Sequence, residues 1–143
     1  MRKLRTVEMH RLSVMQFKEA EKLPLIVVLD DIRSLYNVGS VFRCSDAFRV
    51  ESIYLCGITA CPPDPQIHKT ALGGEDSVDW KYFGRTEDAV AELHDKGYFV
   101  YSIEQVEKST KLQNLQLTRD RKYAVIFGNE VKGVKQEVID LSD

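Results

Sequence analysis

Two short runs in this sequence combine residue types that can bind and activate a substrate. Asn37-Val38-Gly39-Ser40-Val41-Phe42-Arg43 sets an amide, a glycine and a guanidinium at Asn-x-Gly-x-x-x-Arg spacing. Asn37 can donate and accept hydrogen bonds from a helix start. Gly39 lets the backbone come close to a partner. In a helix Arg43 lies about one turn past Gly39, so it can point toward the same end of a sheet. The second run is Gly128-Asn129-Glu130-Val131-Lys132-Gly133. Gly128 can present backbone N–H and C=O groups to a flat ligand, and Glu130 can accept bonds from hydroxyls or from an arginine. Taken singly, each run is equally well served by plain structure. The first reads as a capped helix with an exposed arginine, the second as a strand-to-helix turn in which Asn and Gly are expected.

Positioning these residues is the work of alternating apolar segments. Residues 25–29 (Leu-Ile-Val-Val-Leu) form an uninterrupted β-branched run, the pattern of a strand buried on both faces as in a parallel sheet. Asp30-Asp31 closes it, and a helix is predicted over 37–48. Further strands are predicted over 52–56, 78–83, 98–103 and 123–127. Thr86 is placed to cap a helix that stops at Gly97, and a last helix begins near Lys135. Upstream, Val7, Leu12, Met15 and Phe17 suggest an amphipathic helix over 7–22, ended by Pro24. The stretch 57–74 holds Pro62, Pro63 and Pro65 and reads as a long functional or mobile loop with a helical turn over 66–72. Residues 105–120 are polar and receive no assignment. The order predicts an α/β fold with a mostly parallel sheet and flanking helices. In such sheets ligands bind beyond the carboxyl ends of the strands, and both runs fall there.

Bulk properties narrow the function. A chain of 143 residues is read as a basic helical arm, 1–23, on one domain, 24–143. Apolar residues make up 43% and charged residues 29%, ordinary values for a soluble protein, and no apolar run approaches the roughly 20 residues needed to span a bilayer. Cys44, Cys56 and Cys61 form neither a CxxC pair nor a zinc set, so free thiols in a reducing cytoplasm are expected and no metal. Net charge is −2, which argues against a wholly nucleic-acid-coated surface but leaves room for a local patch. The arm offers Arg2, Lys3, Arg5, Arg11, Lys18 and Lys22 against Glu8, Glu19 and Glu21. His10, His68 and His94 stand isolated, and Trp80, Tyr82 and Phe83 read as core or interface.

Together the two runs resemble the first two motifs of the SpoU/TrmH-type family of SPOUT RNA methyltransferases. Leu72-Gly73-Gly74-Glu75-Asp76-Ser77-Val78-Asp79-Trp80 and Val100-Tyr101-Ser102-Ile103-Glu104-Gln105 resemble the family at the matching places, and the similarity covers about 24–143. The resemblance implies a trefoil-knotted fold, a homodimer, and S-adenosylmethionine bound near Ile103, Glu104, Gly128, Asn129 and Glu130. It implies catalysis at Arg43, with Asn37 beside it and Glu130 nearby, on a ribose 2′-hydroxyl of tRNA or rRNA. RNA contacts are expected from Arg2, Lys3, Arg5, Arg11 and Arg43. The family's third motif, an apolar strand, a Pro and Gly loop and a Ser-Leu-Asn helix start, would follow Leu141-Ser142-Asp143. On that pattern it supplies one wall of the cofactor site, the last pass of the knot and much of the dimer contact. A chain stopping at Asp143 is therefore expected to bind S-adenosylmethionine and to dimerise poorly.

Three other readings use the same residues. A non-catalytic RNA-binding or dimerising module would share the fold. A receiver-like phosphate site would use Asp30-Asp31 with Mg²⁺, but it also wants an aspartate after a middle strand and a lysine after a late one. The strand ends offer Gly57, Glu104 and Gly128 instead. Dinucleotide binding lacks a GxGxxG after any strand.

Overall fold

A computed structural model describes residues 1–143. After a 3-10 turn at Thr6–Met9 come α1 (Val14–Glu19), β1 (Leu23–Asp30), α2 (Leu35–Ala47), β2 (Val50–Cys56), α3 (Pro65–Ala71) and α4 (Gly74–Ser77). Then follow β3 (Trp80–Phe83), α5 (Thr86–Asp95), β4 (Tyr98–Ser102), β5 (Lys122–Phe127) and α6 (Gln136–Leu141). All pairings are parallel, in the order β3-β2-β1-β5-β4. The order reverses between β1 and β5. That reversal opens the crevice in which open α/β sheets bind ligands.

Burial on both faces explains the apolar runs. In β1, Ile26 and Val28 turn to one core while Val27 and Leu29 turn to the other. The first core gathers Ala89, Val90 and Leu93 of α5 and Val138 of α6 onto the sheet. The second gathers Phe17 of α1, Val38 and Phe42 of α2, and Ile67 and Ala71 of α3. On that second side β4 and β5 keep a half-buried aromatic group, with Tyr101 and Tyr123 stacked at 6.0 Å and Phe99 against Tyr101 at 4.9 Å.

Several sequence expectations are corrected here. The helix predicted over 7–22 is two pieces, because His10 takes a left-handed conformation (φ 49°) and Ser13 starts a new helix. Ser13 Oγ accepts from Gln16 N, and Gln16 Oε1 accepts from Ser13 N, a reciprocal cap that fixes the start of α1. Pro24 does not end that helix. It sits inside β1, where the register with β2 slips between Leu23 and Ile26, the kind of irregularity that admits proline in a strand. Lys22 closes α1 instead, its ammonium donating to the carbonyls of Phe17, Lys18 and Ala20. The strand expected over 78–83 is shorter, Trp80–Phe83. Trp80 and Tyr82 are 37% and 48% exposed on this edge strand, and only Phe83 joins the core.

Candidate active site

The site assembles at the β1/β5 reversal, from the segment after β1 and the turn after β5. Helix α2 starts at Ser34, whose hydroxyl accepts from Asn37 N at 3.2 Å. Two further N–H groups near this helix start find their acceptor ninety-odd residues away. Glu130 Oε2 accepts from Arg33 N at 2.8 Å, and Oε1 accepts from Ser34 N at 2.9 Å. Asn37 Nδ2 donates to the same Oε1 at 3.0 Å. Partial burial works to raise the Glu130 carboxyl, but the backbone donors and Asn37 outweigh it and hold the group at about 2. The carboxylate also faces the positive end of the helix dipole.

Asn129 braces the same junction from the other side. Its Nδ2 donates to Asp31 O at 2.7 Å, while Oδ1 accepts from Val131 N and Lys132 N at 3.0 Å each. Its backbone exchanges two hydrogen bonds with Gly133, which makes 129–133 a closed turn. Glu104, just beyond β4, holds the far end of the turn by accepting from Val134 N at 3.0 Å. The backbone donors at Gln105 and Val134 keep its carboxyl below the usual range. A side chain at Gly128 would meet the Gly133 carbonyl carbon and Val134 N at 2.2 Å. At Gly133, with φ +69°, it would lie 2.0 Å from Glu104 Oε2. Both glycines therefore answer to packing within the turn. Along the crevice, Ile103, Phe127 and Val131 leave apolar surface open, at 48%, 42% and 74% exposure.

Asn37, Glu104, Gly128, Asn129 and Glu130 thus converge, with Ile103 at the rim. Arg43 does not join them. It lies six residues along α2 from Asn37, about 9 Å at the helical rise, exposed and without a hydrogen-bond or ion-pair partner. Gly39, expected to admit a partner's backbone, does so for α3. A Cβ there would stand 2.0 Å from Thr70 Oγ1 and 2.2 Å from Ile67 O. Arg2, Lys3, Arg5 and Arg11 lie on the exposed arm ahead of α1, which packs on α4. Of these, Arg2 is paired with Glu8 at 2.6 Å.

Sequence reasoning missed a second cluster directly behind the turn. Asp30 is fully buried, and its carboxylate accepts from Thr86 Oγ1 at 2.5 Å and from Lys135 N at 3.2 Å. Thr86 is therefore not the cap of α5; Arg85 occupies that position with no side-chain cap. Lys135 Nζ lies 2.8 Å from Asp31 Oδ2 and 3.7 Å from Asp30 Oδ1. The lysine that a receiver-like site would want does reach the Asp pair, but as a bonded partner that occupies its oxygens. The visible signal was the Asp30-Asp31 doublet; its side-chain partners lie 27 to 105 residues downstream. His68 is not isolated either, since Nδ1 pairs with the Glu75 carboxylate. His94 pairs with Asp143 at 3.1 Å.

Comparison with known proteins places this geometry. The sequence profile of the SpoU rRNA Methylase family matches residues 24–143. A Staphylococcus aureus protein assigned to the TrmH family of tRNA/rRNA methyltransferases is 27% identical over 128 residues, covering 90% of this chain and 50% of its own length. A Coxiella burnetii 23S rRNA (guanosine-2′-O-)-methyltransferase is 24% identical, over 83% of this chain and 46% of its own. The chain spans about half the length of these curated relatives. The fold is shared with the A. aeolicus TrmH/SpoU tRNA modifying enzyme, at a TM-score of 0.76 and 19% identity over 91% of this chain and 66% of that one. It is shared equally with an AdoMet-bound rRNA methyltransferase from Sinorhizobium meliloti, at 0.76 and 20% over 88% and 48%.

Proposed function

The chain belongs to the SpoU rRNA methylase family, and from that premise we propose that it transfers a methyl group from S-adenosylmethionine to a ribose 2′-hydroxyl of tRNA or rRNA. The observation that carries the proposal is the Glu130 clasp. It joins the Asn37 run to the Gly128 run at the point where the sheet order reverses. The 2′-oxygen as acceptor is supported by the activity named for the Coxiella burnetii relative. Residues 24–143 are proposed as the methyltransferase domain and 1–23 as an RNA-contacting arm. The homodimer, the knotted path and the cytoplasmic setting rest on the family resemblance; no helix is long and apolar enough to cross a membrane.

The crevice suits a ligand with a flat apolar ring and a polar edge. Ile103, Phe127 and Val131 offer open apolar surface, and the main chain of 128–131 lies beside it. These residues, with Glu104, would hold S-adenosylmethionine, whose sulfonium supplies an already electrophilic methyl. What remains for the protein is alignment and charge. Asn37, oriented by Glu130, is positioned to fix the incoming ribose. Arg43 keeps an unpaired guanidinium on the face of α2, suited to binding the adjacent phosphate and stabilising the developing alkoxide. That phosphate or a water takes the 2′-proton, since neither run contains a histidine or cysteine.

The test is transfer of labelled methyl from S-adenosylmethionine to unmodified tRNA and rRNA, followed by alkaline hydrolysis. Label in alkali-resistant dinucleotides is expected. Label confined to mononucleotides would move the acceptor to a base, and no transfer to any RNA, from this chain or from a form extended past Asp143, would remove the catalytic reading.

A further inference from the structure

Beyond the Ser34 cap, the segment that leads into α2 is held by remote contacts. Asp31 sits at φ +53°, a conformation that non-glycine residues rarely hold without outside support. Every polar group from 31 to 34 that the crevice depends on is tied to a distant loop. Asp31 O accepts from Asn129, Ile32 N donates to Thr59 Oγ1, and Arg33 N and Ser34 N donate to Glu130. The position of this segment is therefore tied to the loops after β2 and β5, and the Asp31 side chain bonds to both. Oδ1 accepts from Ile58 N at 2.9 Å, and Oδ2 takes the Lys135 ammonium at 2.8 Å. Gly57 makes room for this arrangement, because a Cβ there would stand 1.9 Å from Oδ1. Lys135 is doubly held, its N–H by Asp30 and its ammonium by Asp31. It begins the stretch that carries the turn 129–133 into α6.

We infer that Asp31 and Lys135 are a pair of positioning residues that fix the 128–134 turn relative to the start of α2, and so align the two halves of the crevice. The inference rests on the methyltransferase reading only for what is aligned. In that reading the turn lies on the cofactor side and α2 on the ribose side, so the pair acts on neither substrate directly. Loosening it leaves each half intact and disturbs their mutual placement. The signature is a loss in kcat with little change in either KM, because a displacement near 1 Å costs far more in alignment than in binding.

The experiment compares Lys135→Met, Asp31→Asn and their double variant with wild type, with Lys135→Arg as the conservative rescue. Lys81→Met, which breaks an ion pair between the edge strand β3 and Glu92 of α5, two strands away from the crevice, is the control. Two readouts are taken. In amide hydrogen exchange, Arg33, Ser34, Gly133 and Val134 should exchange roughly tenfold faster or more in both single variants, while Val28 and Leu29 in β1 keep wild-type rates. In methyl transfer, kcat should fall by roughly ten- to a hundredfold with each KM within about threefold, Lys135→Arg should recover most of it, and the double variant should be no worse than either single. Exchange and kinetics indistinguishable from Lys81→Met would overturn the inference, as would uniform acceleration of all amides. If wild type transfers no methyl, either as this chain or extended past Asp143, the functional reading fails, and the exchange pattern alone then decides the positioning role.

Discussion

At Glu130 one carboxylate accepts three hydrogen bonds, two from the main chain before α2 and one from Asn37. Such a group stabilises the fold only while it is ionised. A glutamate ordinarily titrates near 4.5, and here the group is held at about 2, so its contribution is complete above the ordinary value and is lost as pH falls toward 2. Glu130→Gln keeps one acceptor oxygen and removes the charge. It should lower stability by about 1–2 kcal/mol at pH 7, a range kept small because the residue is exposed. Urea unfolding of both proteins from pH 7 to pH 2.5 checks this. The gap should close below about 4.5, and a gap constant to the acid end would mean that the charge is not what the helix start recognises. Spacing in the sequence pointed to Asn37, Gly128 and Glu130, and the family resemblance to Glu104; all four gather around the 128–134 turn. It could not show that backbone N–H groups of this same chain are their first partners, because those donors come from 33, 34 and 134, far from the acids in sequence. Thr86 illustrates the same limit. Its hydroxyl suits a helix cap, yet a buried carboxylate 56 residues upstream binds it instead.

The helices and strands were more legible where burial alone determines them. The run 25–29 reads as a doubly buried strand because a parallel sheet covered on both faces leaves no polar positions, and both cores confirm it; β5 is buried only through Ala124 and Ile126, with Tyr123 and Val125 half-buried on its other face. Legibility failed where backbone conformation or a remote contact decides, as at His10, where the chain turns left-handed, and at Pro24, which a register slip accommodates. Gly39 shows how an element contact can resemble a ligand motif. Helix α3 lies so close to α2 there that a methyl would stand 2.0 Å from Thr70 Oγ1 and 2.2 Å from a carbonyl of the α3 backbone. Gly39→Ala should therefore force the two helices apart and cost about 1–3 kcal/mol, the usual range for overpacking. Gly84→Ala is the matched comparison, since a Cβ there meets nothing within 4 Å, and it should change stability by no more than about 0.5 kcal/mol. Equal urea midpoints for the two variants would show that α3 yields without resistance, and would return Gly39 to a direct role in binding.

For the whole molecule the decisive quantity is how charge is divided. The arm, 1–23, holds six cations and three acids, so with a total of −2 the body from 24 to 143 carries −5. An acidic body repels an RNA backbone at long range, and one of its grooves deepens this. That groove, about 760 Å³, is lined by Asp64, Glu75 and Asp76 beside Trp80. Attraction must then come from local cations, and the arm is where they outnumber the acids. Arg2 is neutralised by Glu8, Lys18 by Asp79, and Lys22 is spent on the carbonyls at the end of α1. Lys3, Arg5 and Arg11 remain without an ion-pair partner, on a stretch in which no residue is buried. Removing one phosphate-binding cation lowers the salt dependence of binding by about 0.7–0.9 in the logarithmic slope. Removing residues 1–11 should therefore flatten the plot of log affinity against log salt by about 2–3 units, while leaving 24–143 folded because neither core includes an arm residue before Phe17. An unchanged slope would shift the phosphate-binding role onto the body. Arg33, Arg43 and Lys132, exposed around the crevice and along α2, would then have to overcome the −5 at close range, and Arg43→Ala should flatten the slope where the deletion did not.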